Sequence, residues 1–217
     1  MSAWLFWVVV AMAGLALIGF RILAASGDYW LDEILSLQAL RKISLPSDLF
    51  TGLHSDNNHY LNSLWLNSLP ASASPLLGRL LSLVSGIGVV VMAVLIGARR
   101  SRLCAVFSGA VMGFSYIEIL YSSEARGYAL AVFAGFASFY VMGNCLREWR
   151  VRRAIVFSLL ACLGLLAHLS FTCVVAAFGA WLAVTGLQQR WQTRRWIWRM
   201  LQCFALPAVV GMALYFL

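Results

Sequence analysis

The chain has 217 residues, of which 62% are hydrophobic and 11% are charged. Soluble domains carry about 25% charged residues, so this composition excludes a soluble globular protein and indicates an integral membrane protein. The net charge of +8 does not indicate a nucleic-acid-binding protein, because the basic residues lie in short clusters between apolar runs. Such clusters are typical of the loops that orient membrane helices.

Apolar runs predict seven membrane spans, since a bilayer core about 30 Å thick requires roughly 20 apolar residues per helix. The predicted spans are 3–24, 76–98, 103–121, 127–146, 153–169, 170–187 and 200–217. The first span lacks a preceding basic region and is long enough to cross, so we expect it to be retained rather than cleaved as a signal peptide. The predicted fold is all-α, a polytopic transmembrane helical bundle of about seven spans.

The basic residues also predict the orientation. With the N-terminus in the cytoplasm, eleven of the sixteen Lys and Arg residues lie on the inner side, as the positive-inside rule requires. Seven of the eight carboxylates and all three histidines then lie on the outer side, a bias that insertion rules do not explain. The outer surface is therefore expected to carry the function. The absence of Asn-x-Ser/Thr sequons and the compact loops favour a bacterial inner membrane over the endoplasmic reticulum.

Residues 25–75 form the predicted outer loop, which we expect to contain short interfacial helices. Asp28 is the expected N-cap of the first of these helices, with Asp32 and Glu33 in its first turns. Neighbours on a helix point about 100° apart, so one carboxylate would lead the chemistry and the other would position it or contact a metal or a cation. Alternatively, both carboxylates only stabilise the helix terminus against its dipole.

A second polar segment, YSSEARGYAL at 121–130, contains Glu124, Arg126 and Tyr128. An arginine at a membrane surface suits a phosphate, because guanidinium remains charged and can bind two oxygens at once. Arg79, at the start of the second span, is a weaker candidate for the same role. The alternatives are a Glu124–Arg126 surface pair or an arginine that snorkels to the interface.

Metal-binding patterns are weak in this sequence. His54, Asp56 and His59 provide suitable ligand types for a divalent ion, but their spacing matches no standard zinc site, and solvated loop residues explain them as well. The five cysteines lack a CxxC spacing and lie in or beside apolar runs, so we interpret them as packing residues. The segment QQRWQTRRWIWR, 188–199, is interpreted as an inner loop lying on anionic lipid rather than a nucleic-acid-binding or regulatory segment.

Taken in order, these features resemble the polytopic C-type-fold glycosyltransferases, typified by dolichyl-phosphate-mannose protein mannosyltransferases and the bacterial lipid A aminoarabinose transferase. The resemblance covers most of residues 20–130. It consists of a first span, the acidic pair Asp32-Glu33, the element Asn58-His59-Tyr60-Leu61, an arginine in GRLLSLVSG and the segment Glu124-Ala125-Arg126-Gly127-Tyr128. The family often has His-Pro-Pro-Leu where this chain has His59-Tyr60-Leu61, so the backbone of that loop is expected to differ.

The resemblance implies a transfer of sugar from a polyprenyl-phosphate donor to a glycan, lipid or protein acceptor at the outer face of the membrane. It implies that Asp32 is the general base, with Glu33 beside it, and that Arg126 lies near the donor phosphate. Asn58, His59, Glu124 and Tyr128 would support the site, and a divalent ion could lie near Glu33 and His59. Family members usually have more than ten helices and a further C-terminal part, whereas this chain ends within the apolar run GMALYFL. We therefore expect 1–217 to be a single, incomplete glycosyltransferase membrane module, and its activity alone stays open.

A non-catalytic membrane protein, such as a transporter or an assembly subunit, is the alternative. Transporters usually place ionisable groups or broken helices near the bilayer midplane. Here the apolar segments are nearly free of charge and the polar residues collect at one surface. This distribution favours chemistry at the outer interface over transport.

Overall fold

The computed structural model describes residues 3–41, 48–51 and 59–216, and all regular structure in these ranges is helical. The helices in these ranges are α1 (Ala3–Ala25), α2 (Leu31–Leu40), α3 (Asp48–Thr51), α4 (Tyr60–Ser68), α5 (Pro75–Gly78), α6 (Leu80–Ala98), α7 (Arg102–Phe114), α8 (Tyr116–Ser122), α9 (Tyr128–Arg147), α10 (Val151–Ala167), α11 (Phe171–Gln188) and α12 (Thr193–Phe216). This architecture agrees with the predicted all-α class.

The described residues provide fewer spans than the sequence predicted. Four helices, α6, α9, α11 and α12, are long and apolar enough to cross a membrane, as expected of a membrane protein. Helices α7 and α8 make a fifth span only if they are counted together, because the chain bends by 61° between them. Helix α10 has 17 residues and carries Arg152 and Arg153 in its first turn. The described residues thus support four or five spans, and the prediction of seven spans is not confirmed.

The long helices pack side by side. Helix α6 contacts α7 and α9, α9 contacts α10, and α10 contacts α12. The main core lies among α9 to α12, where the ring of Phe157 meets those of Phe178 and Phe204 edge to face at 5.3 and 5.4 Å. Cys145 and Cys203 are buried in this core as free thiols, in keeping with a packing role.

Helix α1 is attached to the bend between α7 and α8 through Arg21, which is 1% exposed. Its Nη1 donates to the carbonyl of Gly113 at 3.0 Å, and its Nη2 donates to the carbonyl of Met112 at 3.3 Å. These carbonyls belong to the last turn of α7, where helix geometry leaves them without an intrahelical partner. A cation at this end also opposes the helix dipole, so Arg21 stabilises the point at which the helix breaks.

The four short helices α2 to α5 lie between α1 and α6 in the chain. Leu40, Leu49 and Leu66, from α2, α3 and α4, form a small buried cluster with Ala125 from the connection between α8 and α9. The ring of Phe50 stacks on that of Tyr60 at 5.1 Å. This packing holds the segment after the first long helix against the segment before α9, which places the two polar regions of the sequence together.

Candidate functional site

A buried ion pair between Arg79 and Glu33 supports the candidate site. The Arg79 Nε donates to Glu33 Oε1 at 2.9 Å, and its Nη2 donates to Glu33 Oε2 at 2.6 Å. The remaining N–H groups of Arg79 donate to the carbonyls of Ala25, Gly27 and Asp28 at 2.9, 2.6 and 2.8 Å. All five guanidinium donors are thus used inside the protein, and the residue is 0% exposed. Arg79 has no donor left for the lipid phosphate that the sequence assigned to it.

Glu33 is equally saturated. Besides Arg79, its Oε2 accepts from the backbone N–H of Trp30 at 2.7 Å, and its Oε1 accepts from the backbone N–H of Ala125. The bond to Trp30 is one half of a capping box, because Trp30 is the N-cap of α2 and Glu33 is its third residue. The expected N-cap, Asp28, instead contributes its carbonyl to Arg79. Four accepted hydrogen bonds fill the lone pairs of this carboxylate, so Glu33 acts as a structural anchor.

The hydrogen bond from the Ala125 N–H to Glu33 positions the neighbouring ion pair, Asp32 and Arg126. The Arg126 Nη1 donates to Asp32 Oδ2 at 3.1 Å. Asp32 is half exposed, with 50% of its side chain accessible, whereas the side chain of Arg126 is 12% exposed. Two neighbouring residues of α2 therefore contact two neighbouring residues of the α8–α9 connection. The contact of Glu33 with Ala125 is buried, and the contact of Asp32 with Arg126 is open to solvent. As expected for neighbours on a helix, the two carboxylates have different surroundings, and Asp32 is the one that a substrate can reach.

A small cleft of about 140 Å³ opens at this contact. It is lined by Trp30, Leu31, Asp32, Glu33, Glu124 and Arg126. Burial raises the pKa of the Glu124 carboxyl, an effect that the nearby Arg126 opposes and the Glu33 and Asp32 carboxylates reinforce. Besides the fully bonded Glu33, the cleft thus contains two further acidic side chains, Asp32 and Glu124, and one guanidinium that is partly accessible.

A cluster of rings lies directly beside the cleft. The guanidinium carbon of Arg126 stands 4.7 Å from the centre of the Tyr128 ring, within the range of a cation–π contact. The Tyr128 ring in turn lies 5.1 Å from that of His59, 5.0 Å from that of His168 and 4.9 Å from that of Tyr121. These contacts bring the loop before α4, the start of α9 and the α10–α11 connection to the same end of the bundle.

An apolar groove of about 660 Å³ begins at this ring cluster. It contains Tyr128, His168 and Ser170 at one end and continues along α9 and α11 through Ala131, Val132, Gly135, Phe136, Phe139, Phe171, Val174 and Phe178, with Tyr121 and Ile96 beside them. The α9 residues recur at helical spacing over eleven positions, which corresponds to roughly 16 Å at 1.5 Å per residue. A long apolar groove therefore has its polar end at the tyrosine ring that Arg126 of the cleft contacts.

Most of the predicted site residues converge in this region. Asp32, Glu124 and Arg126 line the cleft, and His59 and Tyr128 form the adjoining rings, whereas Asn58 lies outside the described residues. The expected metal site at Glu33 and His59 does not fit this geometry, because Glu33 has no free lone pair. Within the described ranges there is also no group of three His, Cys, Asp or Glu side chains placed to hold a metal ion.

Sequence reasoning missed His168, which lies between α10 and α11 and contacts both His59 and Tyr128. In the sequence it lies where the predicted spans 153–169 and 170–187 meet. The short polar interval His168-Leu169-Ser170 between those runs was the available signal, because a histidine at such a junction lies at the same end of the bundle as the polar loops.

Comparisons of the chain with protein-family models, with curated proteins and with solved structures find no match. The resemblance to C-type-fold glycosyltransferases thus rests on the residue pattern described above.

Proposed function

We propose that the protein is a membrane glycosyltransferase that binds a polyprenyl-phosphate-linked sugar and transfers the sugar to a glycan, lipid or protein acceptor. The observation that carries this proposal is the contact of Tyr128, at one end of the apolar groove, with the guanidinium of Arg126, which lines the cleft beside Asp32. A lipid phosphate has the same layout, with a long apolar chain attached to an anionic head. The groove accommodates the chain while Arg126 meets the phosphate.

The end of the groove at Tyr128, His168 and Ser170, here called its head, favours an anion for a second reason. Helix α9 begins at Tyr128 and helix α11 begins at Phe171, and both residues line the groove. The first N–H groups of a helix lack intrahelical partners and carry partial positive charge. The first N–H groups of α9 therefore lie beside the ring that Arg126 contacts, whereas those of α11 already donate to the carbonyls of residues 168, 169 and 170.

In the proposed reaction, the acceptor oxygen attacks the anomeric carbon and the bond from that carbon to the phosphate oxygen breaks. Asp32 takes the proton from the acceptor hydroxyl, as an exposed carboxylate within hydrogen-bond reach can do. The lipid phosphate leaves with the bonding electron pair, and Arg126 stabilises the negative charge that develops on it. A single displacement of this kind inverts the anomeric centre. Glu33 and Arg79 act on this site only by fixing the backbone, and Glu124 supports it from the wall of the cleft.

We further propose the orientation and location that the sequence predicts, with the N-terminus in the cytoplasm of a bacterium and the cleft at the outer face of the inner membrane. Helix α2 exposes Leu31, Ile34 and Leu35, as expected of a helix that lies on a membrane surface. At the opposite end of the long helices, the Arg199 guanidinium lies 4.6 and 4.0 Å from the ring centres of Trp149 and Trp191. Basic and aromatic side chains of this kind suit the anionic cytoplasmic leaflet.

One observation favours the alternative function, a transporter. Arg21 and Glu118 are buried beside the break between α7 and α8, and Arg21 Nε and Glu118 Oε2 have no hydrogen-bond partner among the described residues. Broken helices with buried ionisable groups are common at transporter binding sites. However, the cavity of about 160 Å³ at Arg21 is otherwise lined by apolar residues and a glycine, whereas the cleft contains carboxylates and a guanidinium and lies beside the ring cluster at the end of the apolar groove. The glycosyltransferase proposal therefore explains more of the site.

The test is transfer of a labelled sugar from polyprenyl phosphate in membranes that contain the native gene product. Replacing Asp32 by Asn should reduce the transfer rate about 10²- to 10⁴-fold, the usual contribution of a general base, while binding of the donor is retained. Full activity in this variant would remove Asp32 from the catalytic role. An unchanged cellular phenotype with both Asp32→Asn and Arg126→Ala would favour the non-catalytic alternative.

A further inference from the structure

A pocket of about 420 Å³ lies between α2 and α4, and we call it the α2–α4 pocket. Its wall consists of one side of α2, the end of α4 and the connection that follows α4. None of its described lining residues belongs to the cleft or to the apolar groove. Its volume is within the range of about 300–1,000 Å³ that is usual for small-molecule sites.

Three polar side chains, Gln38, Arg41 and Asn67, are exposed on the wall of this pocket. Within the described part of the chain, none of the three side chains has a hydrogen-bond or ion-pair partner, and no carboxylate lines the pocket. Gln38 and Arg41 are three positions apart on α2, which places them on the same face of the helix. The pocket therefore contains a guanidinium without a counter-ion and two amide groups that can both donate and accept.

The remaining wall of the pocket is mostly apolar. Leu40 and Leu66 are buried and belong to the small cluster that joins α2 to α4, and Ile34, Leu37 and Pro70 lie beside them. Apolar walls with a few polar groups that fix the orientation of a ligand are typical of binding pockets. A ligand that suits this pocket needs an anionic group, hydroxyl groups and apolar C–H faces.

We propose that the α2–α4 pocket binds an anionic sugar unit, one that carries a carboxylate or a phosphate. The Arg41 guanidinium can bind two oxygens of such a group at once. A bare inorganic anion only accepts, so it would leave the carbonyl oxygens of Gln38 and Asn67 to water. Sugar hydroxyls donate as well as accept, and a neutral sugar would leave Arg41 without an anion. An acidic sugar therefore matches all three polar side chains.

The pocket and the cleft lie on opposite sides of α2. At 100° per residue, Ile34, Leu37, Gln38 and Arg41 point about 140° to 240° away from Asp32. An α-helix with its side chains is about 10–12 Å across, so the two sites are separated by roughly that distance. They adjoin where α2 begins, because residue 29 lines the pocket and residue 30 lines the cleft.

This placement assigns the anionic sugar to the acceptor, an assignment that rests on the proposed function. The attacking hydroxyl has to lie beside Asp32, whereas the anionic group lies at Arg41 on the other side of the helix. One helix width, roughly 10 Å, is longer than a single sugar ring. The acceptor is therefore an acidic glycan of two or more sugar units, with its anionic unit in the pocket and another unit in the cleft.

Binding of simple sugars to the full chain in lipid nanodiscs tests the pocket. The probes are methyl glucuronide, glucose 6-phosphate and the neutral methyl glucoside, measured by saturation-transfer NMR. We expect both acidic probes to bind about 10-fold more tightly than methyl glucoside, the weight of a hydrogen bond to a charged group. Arg41→Gln should abolish this preference, whereas Arg152→Gln, at an exposed position outside the pocket lining, should retain it.

A second pair of variants tests the location of the bound sugar. Ala71 is exposed and lines the pocket, so Ala71→Trp should fill the space and prevent binding of all three probes. The neighbouring Ser72 is exposed but lies outside the lining, and Ser72→Trp is the matched control. Equal binding of acidic and neutral probes, or binding that persists in Ala71→Trp, would overturn the inference. Displacement of methyl glucuronide by polyprenyl phosphate would place the sugar in the cleft and would also overturn it.

Sugar transfer in membranes that contain the native gene product and its own acceptors tests the assignment to the acceptor. Arg41→Gln and Ala71→Trp should lower the transfer rate about 10-fold while the Kd for polyprenyl phosphate stays unchanged. Transfer at the parent rate in both variants would overturn the assignment. A parent chain that transfers no sugar would refute the proposed function and the acceptor assignment with it. Selective binding of acidic sugars that is lost in Arg41→Gln would still support the pocket in that case.

Discussion

Arg79 and Glu33 are joined by two hydrogen bonds of 2.9 and 2.6 Å, and both side chains are fully buried. Removing one member of such a pair leaves an uncompensated buried charge, whereas the pair itself stabilises little relative to apolar residues. The same carboxylate holds the backbone of Ala125, which lies between two residues of the cleft. A change at this pair should therefore affect both stability and the site, although neither residue is expected to touch a substrate.

Replacing Arg79 by Ala should lower the free energy of unfolding by about 3–5 kcal/mol, because Glu33 would remain buried without its cation. The measurement is the denaturant or thermal midpoint of the purified protein in detergent. Arg150→Ala is the control, since Arg150 and Glu148 form an exposed pair that is 62% and 56% accessible and should contribute little. Equal effects of the two changes would contradict the structural role of Arg79.

Replacing Arg126 by Ala should weaken binding of polyprenyl phosphate about 10- to 100-fold, the usual weight of a hydrogen bond to a charged group. The comparison is Arg152→Ala, which removes the same charge from an exposed position on α10, away from the cleft. Both variants are titrated with the bare lipid phosphate in nanodiscs. An unchanged Kd for Arg126→Ala would argue against a phosphate contact.

Gly127 occupies a position that admits no side chain. A Cβ added there would approach the carbonyl oxygen of Ala167 within 1.9 Å and His59 Nδ1 within 3.1 Å. Gly127→Ala should therefore push the start of α9 away from His59, lowering the melting temperature and loosening the ring cluster. Gly179→Ala is the matched control, because a Cβ on Gly179 meets nothing within 4 Å and alanine favours a helix. Similar melting temperatures for both variants would show that the close approach at Gly127 is not required.

The groove can be blocked without altering the cleft. Gly135 lies in the middle of the groove lining, and a Cβ there would be 3.7 Å from the ring of Phe171. We expect Gly135→Phe to abolish binding of long-chain polyprenyl phosphate while a short-chain analogue of one or two isoprene units still binds at the head. Gly179→Phe, on α11 but outside the groove lining, controls for the added bulk. Unaltered binding of the long chain would show that the lipid occupies another surface.

Acid should destabilise the protein through His59. Its pKa is about 4 in the folded protein against an ordinary value of 6.5, so the unfolded chain binds a proton first as the pH falls. Stability should therefore decrease between about pH 6.5 and pH 4, and the lowered pKa of His168 acts in the same direction. Melting temperatures measured across this range should fall more steeply for the parent than for His59→Phe. A parallel decrease in both proteins would assign the acid sensitivity to other groups.

The sequence was sufficient for the helical class and for the order of the polar segments. Runs of apolar residues predict helices wherever the bilayer is the solvent, and Asp32 and Arg126 were recognised because charged residues stand out against such runs. Their contact at 3.1 Å confirms that these segments lie together, but their roles in catalysis and phosphate binding stay predictions.

The pairing of Glu33 with Arg79 could not be read from the sequence, because it joins residues 46 positions apart and depends on how the short helices pack. Arg79 was the weaker candidate for a phosphate contact because it lies at the start of the second predicted span. Here the same position is enclosed by the carbonyls of residues 25, 27 and 28. His168 was missed for a related reason, since its importance comes from neighbours distant in the chain.

The bend that Arg21 stabilises has a geometric consequence for the cleft. Helix α8 has seven residues, so a straight continuation of α7 would carry its end roughly 10 Å from the place that the 61° turn gives it. Ala125 could then no longer reach Glu33, and Arg126 could not reach Asp32. The Arg21 guanidinium on α1 thus helps to fix the angle between α7 and α8. That angle in turn determines whether the α8–α9 connection lies close enough to α2 to form the cleft.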